Sequence, residues 1–140
     1  MSDLHPATQG FERAADAYER GRPDYPAAAV DFLAERLDLR PGRGVLDLAA
    51  GTGKLTRLLV PTGAEVIAVE PIPEMRAKIE NARVLAGTAE AIPLADASVE
   101  AVTVAQAFHW FRAEEALGEI RSVMRPGGGL ALVWNVRDES

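Results

Sequence analysis

The sequence predicts one α/β domain, an open, doubly wound, mostly parallel sheet with helices on both faces. Three observations predict it. Short apolar runs and helical stretches alternate from Gly44 onward. The runs are continuously apolar rather than alternating, as expected of strands buried on both sides. The first run enters a glycine turn that opens a helix, the connection at which such sheets bind ligands. The 140 residues suit a single domain, and 48% hydrophobic with 26% charged residues is the balance of a chain that can bury a core.

Taken in order, residues 11–39 read as two helical stretches around Gly21-Arg22-Pro23-Asp24-Tyr25-Pro26. Two prolines and a glycine cannot continue a helix. The second stretch, 27–37, sets Val30, Leu33, Ala34 and Leu37 at helical spacing, and Arg40-Pro41-Gly42 ends it. Residues 44–49 form the first strand and 54–60 the helix after the turn, with Leu55, Leu58 and Leu59 on one face. A second strand follows at 65–69, a helix at 74–81, a weaker third strand at 83–86 and a fourth strand at 99–105. A helix at 113–124 and a fifth strand at 129–134 complete the pattern. Right-handed crossovers then give the spatial order 3-2-1-4-5. The fifth strand is left as an apolar edge without proline or lysine, open to pairing with another chain. Residues 1–40 are read as a helical lid and 44–135 as the core.

Composition excludes several classes. A net charge of −6 and a pI of about 4.9 provide no basic field for a phosphate backbone, so no nucleic-acid partner is expected. The absence of cysteine rules out disulfides, thiolate catalysis and cysteine-ligated metal, and no metal site is predicted. Met1-Ser2-Asp3-Leu4-His5-Pro6 has neither a basic n-region nor an apolar h-region, and the apolar runs are too short to span a bilayer. No membrane partner and a cytoplasmic location are the expectations.

The chemistry concentrates in Val45-Leu46-Asp47-Leu48-Ala49-Ala50-Gly51-Thr52-Gly53-Lys54-Leu55-Thr56. Gly51 and Gly53 allow positive φ and let a ligand lie against the backbone, while the following helix offers unpaired N–H groups. A phosphate-cradling loop requires Ser or Thr after Gly-Lys, and here Leu55 follows Lys54. A dinucleotide turn wants a third glycine, and Thr56 stands there, which leaves that reading a minor one. Two acids favour a third ligand. Asp47 ends the first strand, where a carboxylate can receive the ammonium group of an amino acid, directly or through water. Glu70 ends the second, where an acid accepts ribose hydroxyls. An amino-acid head and a ribose together describe S-adenosylmethionine.

The chain resembles the class I methyltransferases, a Rossmann-like fold, and within them the methyltransferase type 11 group similar to trans-aconitate methyltransferases. Asp47 to Gly53 resembles that group's first motif and Val66-Ile67-Ala68-Val69-Glu70-Pro71 its ribose motif, with Met75 on the adenine side. Gly87-Thr88-Ala89-Glu90-Ala91-Ile92-Pro93-Leu94 resembles the adenine loop. Ala105-Gln106-Ala107-Phe108-His109-Trp110-Phe111 resembles the segment beside the transferred methyl, and Arg125-Pro126-Gly127-Gly128-Gly129 the turn before the fifth strand. Phe11, Ala15, Tyr18, Gly21, Arg22, Pro23, Tyr25 and Pro26 resemble its N-terminal lid. The resemblance implies a cofactor site of Tyr18, Arg22, Asp47, Ala49, Gly51, Gly53, Glu70, Pro71, Met75, Thr88, Ala89, Glu90 and Gln106. Arg22 would pair the cofactor carboxylate, and Ala49 and Thr88 replace the usual glycine and aspartate. The family continues beyond a fifth strand through a helix and a reversed strand pair, so the chain is expected to be C-terminally truncated relative to it.

Methyl transfer from a sulfonium is an in-line displacement in which the protein supplies position and a desolvated site. His109 is the candidate general base; equally, His109 and Trp110 would only wall the cleft. The expected function is methyl transfer to a small molecule. A cofactor-binding module without catalysis of its own, or a nicotinamide oxidoreductase, are the alternatives.

Overall fold

The computed structural model describes residues 25–105 and 112–133. Helix α1 (Ala27–Leu37) precedes β1 (Gly44–Leu48) and α2 (Lys54–Leu59), which runs into a 3-10 turn at Val60–Thr62. Then come β2 (Glu65–Val69), α3 (Pro73–Arg76), β3 (Arg83–Leu85), β4 (Val99–Ala105), α4 (Ala113–Val123) and β5 (Met124–Val133). The five strands form one sheet in the order β3-β2-β1-β4-β5, and every pairing is parallel. This is the doubly wound α/β fold expected from the continuous apolar runs.

Side-chain alternation along each strand builds a core on each face. Leu46 and Leu48 of β1 join Ile67, Val69, Val102 and Val104, and Ala116, Ile120 and Val123 of α4 cover them. Val45, Val66 and Ala101 point the other way, onto Leu55 and Leu59 of α2 and Leu37 of α1. Val30, Leu33, Ala34 and Leu37 all pack on that second core, so the face chosen by helical spacing is the buried face. Helix α1 thus packs on this face of the sheet. The remainder of the proposed lid, residues 1–24, lies outside the described residues.

Several boundaries differ from expectation. The helix predicted over 74–81 is only Pro73–Arg76; the chain leaves it through a turn at 77–78, and Asn81, at φ 65°, leads into β3. The helix predicted over 54–60 ends at Leu59 and tightens at Pro61. The fifth strand begins earlier, with Met124 opposite Val99, and resumes register at Ala101↔Gly129 after an irregularity. It is the sheet edge, and Leu132 on it is 40% exposed.

At the amino end of the sheet, Glu100 accepts the Gly44 N–H at 2.6 Å and pairs with Arg125 at 2.9 Å. Gly128 lies against the same residue. A Cβ there would stand 2.6 Å from the Glu100 carbonyl oxygen and 3.0 Å from that of Arg125, both backbone atoms that cannot swing away. Gly128→Ala is expected to destabilise the domain by about 1–3 kcal/mol. The reading is a lower urea midpoint at unchanged m-value; an unmoved midpoint would show that this end of β5 shifts freely.

Candidate functional site

The carboxyl ends of β1, β2 and β4 converge where the strand order reverses, between β1 and β4, the place where open α/β sheets bind ligands. After Leu48 the chain turns through Ala49, Gly51 and Gly53, with φ 56°, 63° and 89°. The Ala50 N–H donates to the Val69 carbonyl at 3.1 Å, tying the turn to the end of β2, and the Gly53 N–H closes it on Ala50 at 3.0 Å. The two glycines differ in purpose. A Cβ on Gly53 would meet Ile79 at 3.1 Å, whereas one on Gly51 would find no described atom within 4 Å. Gly53 therefore serves packing, and Gly51 borders space that no described residue fills. Ala49 occupies a left-handed conformation costing roughly 1 kcal/mol for an L side chain, so backbone geometry alone favours glycine there. Helix α2 has six residues, so the helix-end field expected from it is short-range.

Glu70, 1% exposed, leads out of β2. One of its carboxylate oxygens accepts the Gly51 N–H at 2.7 Å and the other the Ile72 N–H at 3.0 Å. Burial pushes its carboxyl up, while these two N–H donors and the nearby Arg76 pull the other way. The Arg76 guanidinium donates to the carbonyls of Glu70 and Pro71 at 2.9 and 3.0 Å, fixing the turn after β2.

Asp47 is 1% exposed. Its Oδ2 accepts the Thr56 hydroxyl at 2.6 Å and its Oδ1 the Thr103 hydroxyl at 2.9 Å. Burial pushes the carboxyl up to about 6; the two hydroxyls lower it and the charge of Glu70 raises it. Sequence reasoning noted Thr56 only as a missing glycine and passed over Thr103. A signal existed for Thr103, a lone hydroxyl within the apolar run of β4, since a buried polar group needs a partner.

The remaining candidates spread along the rim. Pro71 and Thr88 are exposed, and Met75 and Ala89 are buried. The Thr88 carbonyl accepts the Ala91 N–H at 3.2 Å, forming a tight turn. The Glu90 carboxylate accepts the Arg112 N–H at 2.8 Å, and Glu119 of α4 accepts the Ile92 N–H at 2.7 Å. Both acids anchor the 87–94 loop to α4, Glu90 through one of its two carboxylate oxygens. Tyr18, Arg22, Gln106 and His109 lie outside the described residues. Among the described residues no acid or histidine cluster could hold a metal ion, and no helix is long and apolar enough to cross a membrane.

A parallel 3-2-1-4-5 sheet with a glycine turn between two buried acids is the arrangement expected of the class I methyltransferases. The methyltransferase domain family profile matches residues 46–132, from β1 to β5, and the chain belongs to that family. It is 55% identical over 133 residues to the uncharacterized methyltransferase Rv3342 of Mycobacterium tuberculosis, covering 92% of this chain and 53% of that protein. It is 42% identical over 103 residues to the demethylmenaquinone methyltransferase of Corynebacterium efficiens, covering 70% of this chain and 44% of that protein. A SAM-dependent methyltransferase structure from Aquifex aeolicus matches with TM-score 0.69 at 24% identity, over 94% of this chain and 76% of that one. That likeness concerns the fold. The chain spans about half the length of the curated relatives it matches.

Proposed function

We propose that the chain binds S-adenosylmethionine at the carboxyl ends of β1, β2 and β4 and transfers its methyl group to a small-molecule acceptor. The observation that carries this reading is the space over Gly51 that no described residue fills, bracketed by the buried carboxylates of Asp47 and Glu70. A cradle that a Cβ would fill, with one acid at each end, fits a ligand that has an amino-acid head and a ribose. When bound, the cofactor supplies the activated methyl on its sulfonium. The chain's part is to bind and orient. Glu70 retains lone pairs beyond those taken by Gly51 and Ile72, and these would accept the ribose hydroxyls. The backbone of residues 49–53 would lie along the ligand, and the turn after β3 would border the adenine. Asp47 would place negative charge beside the ammonium group. A net charge of −6 supports a small acceptor over a nucleic acid.

Calorimetric titration with S-adenosylhomocysteine and, separately, NADH tests the cofactor. Binding of the first alone is expected; binding of NADH alone would turn the reading to a nicotinamide enzyme. Turnover on an acceptor panel then tests catalysis, and binding without any turnover would favour the module reading. Glu70→Ala is expected to weaken S-adenosylhomocysteine by about 1.5–3 kcal/mol per charged hydrogen bond lost. Unchanged affinity would remove Glu70 from the site.

A further inference from the structure

Asp47 and Thr103 lie side by side in the β1–β4 register. They share the strand parity of Val45 and Ala101, both of which face the core covered by α2. Helix α2 brings Thr56 to the same point. Three elements thus deliver one carboxylate and two hydroxyls to one place, and Thr56 and Thr103 are themselves 0% exposed. Each hydroxyl is the sole direct partner found for its carboxylate oxygen among the described residues. Placing two hydroxyls to satisfy an acid is a poor way to build stability, since an apolar trio would pack there at no desolvation cost. It is a good way to keep an anion at a fixed point.

We infer that Thr56 and Thr103 are positioning residues of the cofactor site, their hydroxyls holding the Asp47 carboxylate as the fixed anion against which the cofactor's ammonium group is set. The inference rests on the cofactor reading given above. Both threonines act through Asp47 and neither touches the ligand. The two hydroxyls oppose the upward push of burial on Asp47, so removing either leaves the acid more readily protonated. The charged residues on the neighbouring elements are Lys54 and Arg57 of α2, Glu65 of β2, Glu70 after β2 and Glu100 of β4. Of these, Glu70 acts on Asp47 by its charge.

The test is calorimetric affinity for S-adenosylhomocysteine from about pH 5 to about pH 8 in the wild type, Thr56→Val, Thr103→Val, the two serine variants and Asp47→Asn. Wild-type affinity should fall as acid protonates Asp47, and Asp47→Asn should lose that part of the pH dependence, leaving what belongs to Glu70. Each valine variant should have its midpoint raised by about one pH unit, so that it binds roughly tenfold more weakly at the acid end and about twofold more weakly near neutrality, with affinity recovered at the alkaline end. The serine variants, which keep the hydroxyl, should bind like the wild type. A valine variant that is weakened equally at every pH would show mere packing damage and overturn the inference, as would one that binds normally. If a valine variant fails to fold, its serine counterpart decides: wild-type affinity and midpoint support the hydroxyl's role, and a tenfold loss overturns it. Absence of binding by the wild type would instead strike the cofactor reading itself.

Discussion

Gly51→Val is expected to abolish S-adenosylhomocysteine binding while the domain remains folded. The two halves of this outcome have separate causes. A Cβ at Gly51 would meet no described atom within 4 Å, so no described residue stands in the way of a side chain. What the branched side chain would fill is the space assigned to the cofactor. The fold bears only the backbone cost, because φ is 63° at this position and an L residue there loses roughly 1–2 kcal/mol. That is a fraction of the stability of an ordinary domain. Far-ultraviolet circular dichroism and a urea melt should therefore report a folded, mildly weakened protein, and calorimetry should report no heat of binding. Gly51→Ala should lie between, with less volume in the cleft. Tight binding retained by the valine variant would show that the turn does not cradle the ligand.

Gly53, two residues on, supplies the contrast. Its Cβ position is already pressed by Ile79, so a substitution there would damage packing and binding together. The sequence treated the two glycines alike, because both precede the same helix, and only the return of the chain at Ile79 separates them. Ile79 also explains the overlong helix predicted over 74–81. Met75 and Ile79 have helical spacing and both are buried, but Ile79 reaches the core from beyond the end of α3, and three residues of β3 soon follow. Local periodicity could not tell a helix from a turn that happens to bury the same positions.

What was legible was whatever depends on neighbours in sequence: the apolar strands, the glycine turn, the buried face of α1 and the acids that end β1 and β2. Strand order also followed, because crossover handedness restricts it. What was not legible depends on register between distant strands. Asp47 and Thr103 are 56 positions apart, and nothing local announces that they are paired. The same holds for Glu90, whose carboxylate meets a backbone N–H 22 positions away. Its place in the adenine-loop motif suggested a ligand contact, and the contact it makes among the described residues is with the start of α4.

Asp47→Asn is expected to raise stability at neutral pH and to lower cofactor affinity in the same variant. Burial raises the Asp47 carboxyl from an ordinary 3.8 to about 6. The folded protein thus holds this proton more tightly than the unfolded chain does. The stability gained from the proton is complete below the unfolded value of 3.8 and is lost as pH rises from there through about 6. At neutral pH the ionised group leaves the fold weaker by on the order of 2–3 kcal/mol, an upper figure set by a shift of roughly two units. Asparagine carries no charge to desolvate. Its amide oxygen can accept one threonine hydroxyl and its NH2 can donate to the other, since hydroxyls serve in either role. Urea melts should show the variant more stable than the wild type near pH 7 and the difference fading below about pH 4. Calorimetry should show S-adenosylhomocysteine bound about tenfold more weakly or worse, through loss of a charged partner for the ammonium group. A variant less stable than the wild type at neutral pH would mean that the hydroxyl bonds to the anion outweigh the cost of burying it. An unchanged affinity would place Asp47 outside the ligand's reach, and its burial would then have to be explained by the fold alone.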